Sequence, residues 1–184
     1  MTRRAATKPI ALALLLVAVA GACTAGGGGG IGVTTGFDVV TFPVAKRKPA
    51  PTFSGTALQD GKPISSAILA GKVGVVNFWG SWCGPCRREQ GPLETMSRQY
   101  GDRVQFLGVN ARRDQKTAAL AYLQEFDVKY PSVYNPDSSI AFDFRVRFMP
   151  ATFVIDRQGR IAAEFIGAIV NPAELRAVVD SELT

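Results

Sequence analysis

The feature that most narrows the possible folds is the run Val73-Gly74-Val75-Val76-Asn77-Phe78-Trp79, followed two residues later by Trp82-Cys83-Gly84-Pro85-Cys86. The run is almost wholly apolar, as a central strand buried on both faces must be. A helix is expected from Cys83 to about Tyr100, bent at Pro92. Two cysteines three apart at a strand-to-helix junction can close a short, reversible disulfide. Cys83 then sits where free backbone N–H groups and the helix dipole favour an anion, which lowers its thiol pKa below the free value of ~8.5. The thiolate is the attacking species in disulfide exchange. Cys86, one turn inside, is the sheltered partner that can break a mixed disulfide formed at Cys83.

Composition removes several other chemistries. The 184 residues hold three cysteines, Cys23, Cys83 and Cys86, and no histidine. That excludes Ser-His-Asp and Cys-His catalytic pairs, histidine-ligated zinc or iron, and haem attachment through C-x-x-C-H. A zinc half-site at Cys83 and Cys86 lacks a second ligand pair. A purely structural disulfide rarely closes so tight a loop, and a pair of buried free thiols is unexpected outside the cytosol. With 47% hydrophobic and 20% charged residues the chain is globular.

From Thr52 onward the pattern alternates strands and helices. Strands are expected at Thr52–Leu58, Val73–Trp79, Val104–Asn110, Ser132–Tyr134, Ala151–Ile155 and Ile161–Ile166. Asp60-Gly61 and Gln158-Gly159 mark turns. Ser65–Leu69 reads as a helical turn, and helices are expected at Gln115–Phe126 and Ser138–Phe144. A last helix has Asn171 as its cap, Pro172 in its first turn, and Leu175, Val178, Val179 and Leu183 on one face. This order predicts an α/β domain with a mixed sheet covered on both faces.

The N-terminus is of another kind. Arg3, Arg4 and Lys8 precede an apolar run from Ile10 to Ala20, too short for the ~20 residues that span a bilayer. Residues 1–22 read as a signal peptide. Arg3-Arg4 is read as its basic region rather than a twin-arginine signal. Ala20-Gly21-Ala22-Cys23 resembles a bacterial lipobox, with Ala20 where leucine is usual, so Cys23 is the expected lipidation site; cleavage nearby with Cys23 left as an odd thiol is the other reading. Without residues 1–22 the net charge falls from +6 to +3, which gives no footprint for nucleic acid. Gly26–Gly30 and the stretch Val44–Pro51, with Lys46-Arg47-Lys48, make residues 23–51 a flexible tether. Within it Asp38–Phe42 can form one short strand.

Together, Trp82-Cys83-Gly84-Pro85-Cys86 after Val75-Val76-Asn77-Phe78-Trp79, and Phe148-Met149-Pro150-Ala151-Thr152-Phe153, resemble the thioredoxin-fold redoxins. The longer span between them is similar to the TlpA/ResA-like branch of tethered thiol-disulfide oxidoreductases. The resemblance covers about residues 52–184. It implies a thioredoxin-like domain with a central mixed sheet flanked by helices, a central insertion around Gln115–Tyr134 and an N-terminal strand extension.

The resemblance also assigns roles. Cys83 is matched to the nucleophile, Cys86 to the resolving cysteine and Pro150 to the cis-proline facing the disulfide. The Met149-Pro150 loop, with Trp82, Gly84 and Pro85, is expected to meet an extended substrate segment. Glu89, three after Cys86, is matched to the acid this branch keeps near the active site, able to accept the Cys86 proton; a solvated glutamate beside Arg87 and Arg88 is the alternative. In thioredoxin an aspartate precedes the Phe-Trp pair, where this chain has Asn77.

The function expected is an extracytoplasmic thiol-disulfide oxidoreductase, acting as a reductase without a cofactor beyond its own cysteine pair. It would sit on the outer face of the cell membrane by a lipid anchor, or be secreted. Its partners would be protein disulfides, apocytochrome c among them, and a membrane thiol electron donor. A disulfide-donating oxidase uses the same residues. A thiol peroxidase needs a P-x-x-x-T-x-x-C setting that the residues before Cys83 do not provide. A non-catalytic binding lipoprotein is at odds with intact Cys83, Cys86 and Pro150.

Overall fold

A computed structural model describes residue 2 and residues 37–184. The expected signal peptide 1–22, Cys23 and Gly26–Gly30 lie outside the described residues. The described chain forms eight strands: β1 (Phe37–Thr41), β2 (Ser54–Ala57), β3 (Pro63–Ser65), β4 (Val73–Trp79), β5 (Val104–Asn110), β6 (Ser132–Tyr134), β7 (Ala151–Ile155) and β8 (Ile161–Gly167). Four helices join them: α1 (Gly84–Tyr100), α2 (Lys116–Glu125), α3 (Ser139–Asp143) and α4 (Ala173–Leu183).

All eight strands make one sheet in the order β1-β8-β7-β4-β5-β6-β2-β3. The β4–β5 and β5–β6 pairs are parallel, and β7, β8 and β1 run antiparallel on the other side of β4. β4 is central, and every one of its residues is buried. Its side chains alternate between two cores. Val73, Val75 and Trp79 pack with Leu93 and Met96 of α1, Tyr122 of α2, and Leu175 and Val179 of α4. Val76 and Phe78 pack on the opposite face with Ile140, Phe144 and Phe153. β6, from the expected insertion, widens the sheet beyond β5, and the β2–β3 hairpin continues it.

One expectation is corrected here. Residues 37–51 are part of the domain and not of a tether. β1 pairs with β8 over its whole length, with Val39 opposite Phe165. Phe42 donates its N–H to Ala162 O, and Pro49 bridges to Arg160. Arg47, which reads as one member of a solvated basic cluster, is nearly buried and reaches Asp156 at 3.1 Å and Glu182 at 2.6 Å. The physical reason is that its partners come from the β7–β8 turn and from α4, more than a hundred residues away.

The last helix starts at Ala173, and Asn171 Oδ1 still accepts the Ala173 N–H at 3.1 Å. α1 runs through Pro92 without ending there. Gly108 on β5 is required by space: a Cβ there would lie 2.3 Å from Ser132 Oγ and 2.8 Å from Trp79 Nε1.

Candidate active site

Three loops gather at one end of the sheet. β4 ends at Trp79 and leads into Gly80–Cys83. β7 starts beside it, with Ala151 opposite Phe78, so the Met149-Pro150 peptide sits next to that departure point. The β8–α4 loop, Ala168–Pro172, leaves from the same end, since Ile166 pairs with Ala151. In open sheets, sites collect beyond the C-terminal ends of parallel strands, here β4 and β5.

Cys83 and Cys86 are joined in a disulfide, with Cα atoms 5.2 Å apart. Cys83 is the N-cap of α1, and the Cys86 N–H points at its sulfur at 3.2 Å. That is the environment in which a Cys83 thiolate would be favoured once the bond is reduced. Cys83 keeps 4% of its surface and Cys86 none, so only Cys83 stands at the mouth. Trp82 is 57% exposed, and its ring lies over Gly80, where a Cβ would come within 3.0 Å of it. Gly84 has open space around its Cα. The Met149–Pro150 bond is cis, and Pro150 O accepts the Gly167 N–H at 2.9 Å.

Glu89 is fully buried one turn after Cys86. Its Oε1 accepts from Asn77 Nδ2 at 2.8 Å, and its Oε2 accepts the Ile169 N–H at 2.9 Å. Asn77 Nδ2 also donates to Thr152 Oγ1 at 2.9 Å. Among the described residues, no cation touches the carboxylate. Burial pushes its pKa up to about 8, and the two donors offset only part of that. The structure therefore places Glu89 inside, away from the solvent that Arg88 faces.

Other residues at this end were missed by sequence reasoning. Asp114, just beyond β5, is buried and holds the loop before Cys83. It accepts from Ser81 N and from Ser81 Oγ, both at 2.6 Å, and from Asn110 Nδ2 at 2.7 Å. Its place after the C-terminal end of a buried parallel strand was the one available signal. Tyr122 of α2 stacks on Trp79 at 4.4 Å, and its hydroxyl is 3.0 Å from Cys86 O. Burial raises its pKa, so the hydroxyl stays a donor.

The matches to known proteins agree with this geometry. Residues 45–179 match the Redoxin family model. The chain belongs to the redoxin family. This redoxin is 40% identical over 124 residues to the thiol:disulfide interchange protein DsbE of Allochromatium vinosum, covering 66% of this chain and 67% of that one. It is 31% identical over 121 residues to the thiol-disulfide oxidoreductase ResA of Bacillus cereus, covering 65% and 69%. The crystal structure of a DsbF homologue from Corynebacterium diphtheriae superposes with a TM-score of 0.72 at 31% identity, over 78% of this chain and 92% of that one. With its paired cysteines in place, this redoxin is a thiol-disulfide oxidoreductase of the DsbE/ResA type.

Proposed function

We propose that this redoxin acts outside the cytoplasm as a protein-disulfide reductase. The observation that carries the direction is Glu89: a buried carboxylate without a cation, one turn behind Cys86. Strong oxidants are those whose reduced form is stabilised as a thiolate. A buried acid on the same helix face works against a thiolate. Gly84-Pro85 adds no charged or imidazole group between the cysteines to stabilise one. Both features favour the dithiol as an electron source.

The cycle needs no bound cofactor. The Cys83 thiolate attacks one sulfur of a substrate disulfide, forming a mixed disulfide and releasing the other sulfur as a thiolate. Cys86 then loses its proton to Glu89, attacks Cys83 Sγ, and expels the second substrate sulfur. Two electrons pass to the substrate and the Cys83–Cys86 disulfide is left; one substrate thiolate takes the proton held on Glu89, and the other takes one from solvent, equal to the proton Cys83 gave up on ionising. Burial that raises the Glu89 pKa to about 8 makes its ionised form a much stronger base than an ordinary carboxylate, as removal of a thiol proton requires. The cis-Pro150 loop holds the substrate strand. A membrane thiol carrier restores the dithiol. Residues 1–22 direct export, and lipid on Cys23 anchors the domain beside that donor. Disulfides of exported polypeptides are the substrates, with the cysteine pair of an apocytochrome c among those a reductase would serve.

The test is the reduction potential of Cys83–Cys86 in the full chain, by equilibration with dithiol buffers. A value near or below ~−270 mV is expected. A value near ~−120 mV would overturn the reductase reading and make the protein a disulfide donor.

A further inference from the structure

The loops around the disulfide carry two kinds of unpartnered group. The first is apolar. Trp82, Phe148 and Val170 are 57%, 72% and 56% exposed, one on each of the three loops. Exposed large apolar side chains gathered at one place mark an interaction site.

The second is cationic. Arg112 and Arg113 follow β5, and Arg145 and Arg147 precede Phe148. Arg112, Arg113 and Arg145 hold left-handed backbones, with φ of 62°, 55° and 58°. Such a conformation is strained in a residue with a Cβ, and such strain gathers at functional sites. The folded loops hold it in place. The Arg112 N–H donates to Ser138 Oγ at 2.9 Å, and the Arg113 N–H to Pro136 O at 2.9 Å. The Arg112 guanidinium reaches across to Val146 O at 3.2 Å and Arg147 O at 2.7 Å, tying the two arginine segments together. Among the described residues, the guanidinium groups of Arg88, Arg113, Arg145 and Arg147 have no ion-pair partner. The nearby acids do not answer them: Asp114 is taken up by Ser81 and Asn110, Glu89 is enclosed, and Glu125 pairs with Arg87. Asp38 and Glu164 line a cavity of about 490 Å³ with Arg145 and Arg147 without pairing to either. Glu174 in the first turn of α4 and Asp143 at the end of α3 are exposed acids, and the exposed Asp137 is engaged by Asn135 and Ser139.

We propose that this end of the sheet is a docking surface for acidic substrate segments. Trp82, Phe148 and Val170 would receive an apolar side chain beside the substrate disulfide, and the arginines would receive Asp or Glu residues flanking it. This rests on the reading of Cys83–Cys86 as an exchange site and names its substrate class. The occupant is a polypeptide and not an anionic membrane, because Arg112 and Arg113 follow β5 and Arg147 leads into cis-Pro150 at the end of the sheet that holds the disulfide, and that disulfide must meet another sulfur.

The experiment uses the full chain and two synthetic peptides. Both carry the same disulfide and the same apolar residue, one with flanking Asp and Glu, the other with flanking Lys. Binding is read by fluorescence anisotropy with serine in place of the peptide cysteines, so that docking is measured without chemistry. Exchange is read as the rate at which the reduced protein opens each disulfide. The acidic peptide should bind and react about tenfold faster or better at low salt, and about 0.5 M salt should shrink the ratio toward one. The paired substitutions Arg113→Glu and Arg147→Glu should reverse the preference. Equal binding of the two peptides, or a preference for the basic one, overturns the docking proposal even where both are reduced. So does tight association with phosphatidylglycerol vesicles combined with no peptide preference. Selective binding of the acidic peptide without any exchange supports the docking surface and overturns the reductase reading instead.

Discussion

Two buried carboxylates at opposite ends of the sheet meet opposite fates. Asp156 follows β7 at the end away from the disulfide, and Glu89 lies under the disulfide; their exposures are 2% and 0%. Burial alone would raise both. For Asp156 it is outweighed by the Arg160 N–H and guanidinium and by the Arg47 guanidinium, which hold it below the usual carboxylate range. Glu89 has two neutral donors and no cation, and stays near pH 8. The lesson is that a charged partner, not depth, decides whether a buried acid is structural or reactive. The far end satisfies its charges within the fold. The reactive end keeps an acid without a cation, arginines without acids, and aromatic surface without cover.

The pH dependence of folding sharpens this contrast most. For Glu89 the folded pKa is about 8 against 4.5 for the unfolded chain. Between those values the unfolded state has released a proton that the folded state keeps. Stability is thus full below ~4.5 and falls as pH rises toward 8, by up to about 1.4 kcal/mol per unit. Asp156 has the opposite sign. Its contribution is present above its unfolded value of 3.8 and is lost as pH falls through its lowered folded value. The oxidised protein should therefore be most stable between about pH 4 and 5. Urea midpoints from pH 3 to pH 9 measure both arms. In Glu89→Gln the decline between ~4.5 and 8 should vanish while the acid arm stays. An unchanged alkaline slope would show that Glu89 ionises normally and break the contrast.

At the far end, Arg47→Ala takes the cation from Glu182 and one of two from Asp156, which keeps Arg160. The expected loss is about 2 kcal/mol, because the charge-assisted hydrogen bonds of a nearly buried network are broken. The Cys83–Cys86 potential should not move. A shift of the potential with Arg47 would mean that the two ends are coupled.

What the sequence disclosed follows the same division. β4, β5, β6 and β7 begin and end at the residues their patterns predict, because a strand buried on both faces is mostly apolar along its length. The cysteine pair, its helix and the hairpin of β7 and β8 were equally legible. β3 was not: it is three residues long and opens on Pro63, which suits an edge strand but leaves almost no pattern. Lys46-Arg47-Lys48 looks like solvated charge because the partners of Arg47 are remote in sequence. Glu89 could be read as buried or solvated, since its donors Asn77 and Ile169 come from two other elements. Asp114 went unread for the same reason, its partner Ser81 being 33 residues back.

Asp114 also tests whether the reactive end can hold an acid for purely positional ends. Asp114→Ala leaves the Ser81 N–H and Asn110 Nδ2 without an acceptor, at a cost of about 2 kcal/mol. Loosening of Gly80–Cys83 should slow exchange more than it shifts the pH profile, which belongs to Glu89. If Asp114→Ala moved the alkaline arm instead, the two acids at this end would share one role.

The smallest effect on folding should come from the most visible residue. Trp82 is more than half exposed, and its ring lies over Gly80. Trp82→Ala should change stability by no more than about 0.5 kcal/mol, as exposed substitutions usually do. Exchange with a protein disulfide should nonetheless slow, because the apolar contact beside Cys83 is lost, whereas the rate with a small neutral disulfide such as 2-hydroxyethyl disulfide should change much less. Chevron kinetics and the two exchange rates separate these effects. A large loss of stability would move Trp82 into the core and take it out of the surface that meets the substrate. Equal slowing with both disulfides would make it a shield for the sulfurs rather than a contact for the partner. Of these outcomes only selective slowing keeps the distinction between an end built for the fold and an end left open for another chain.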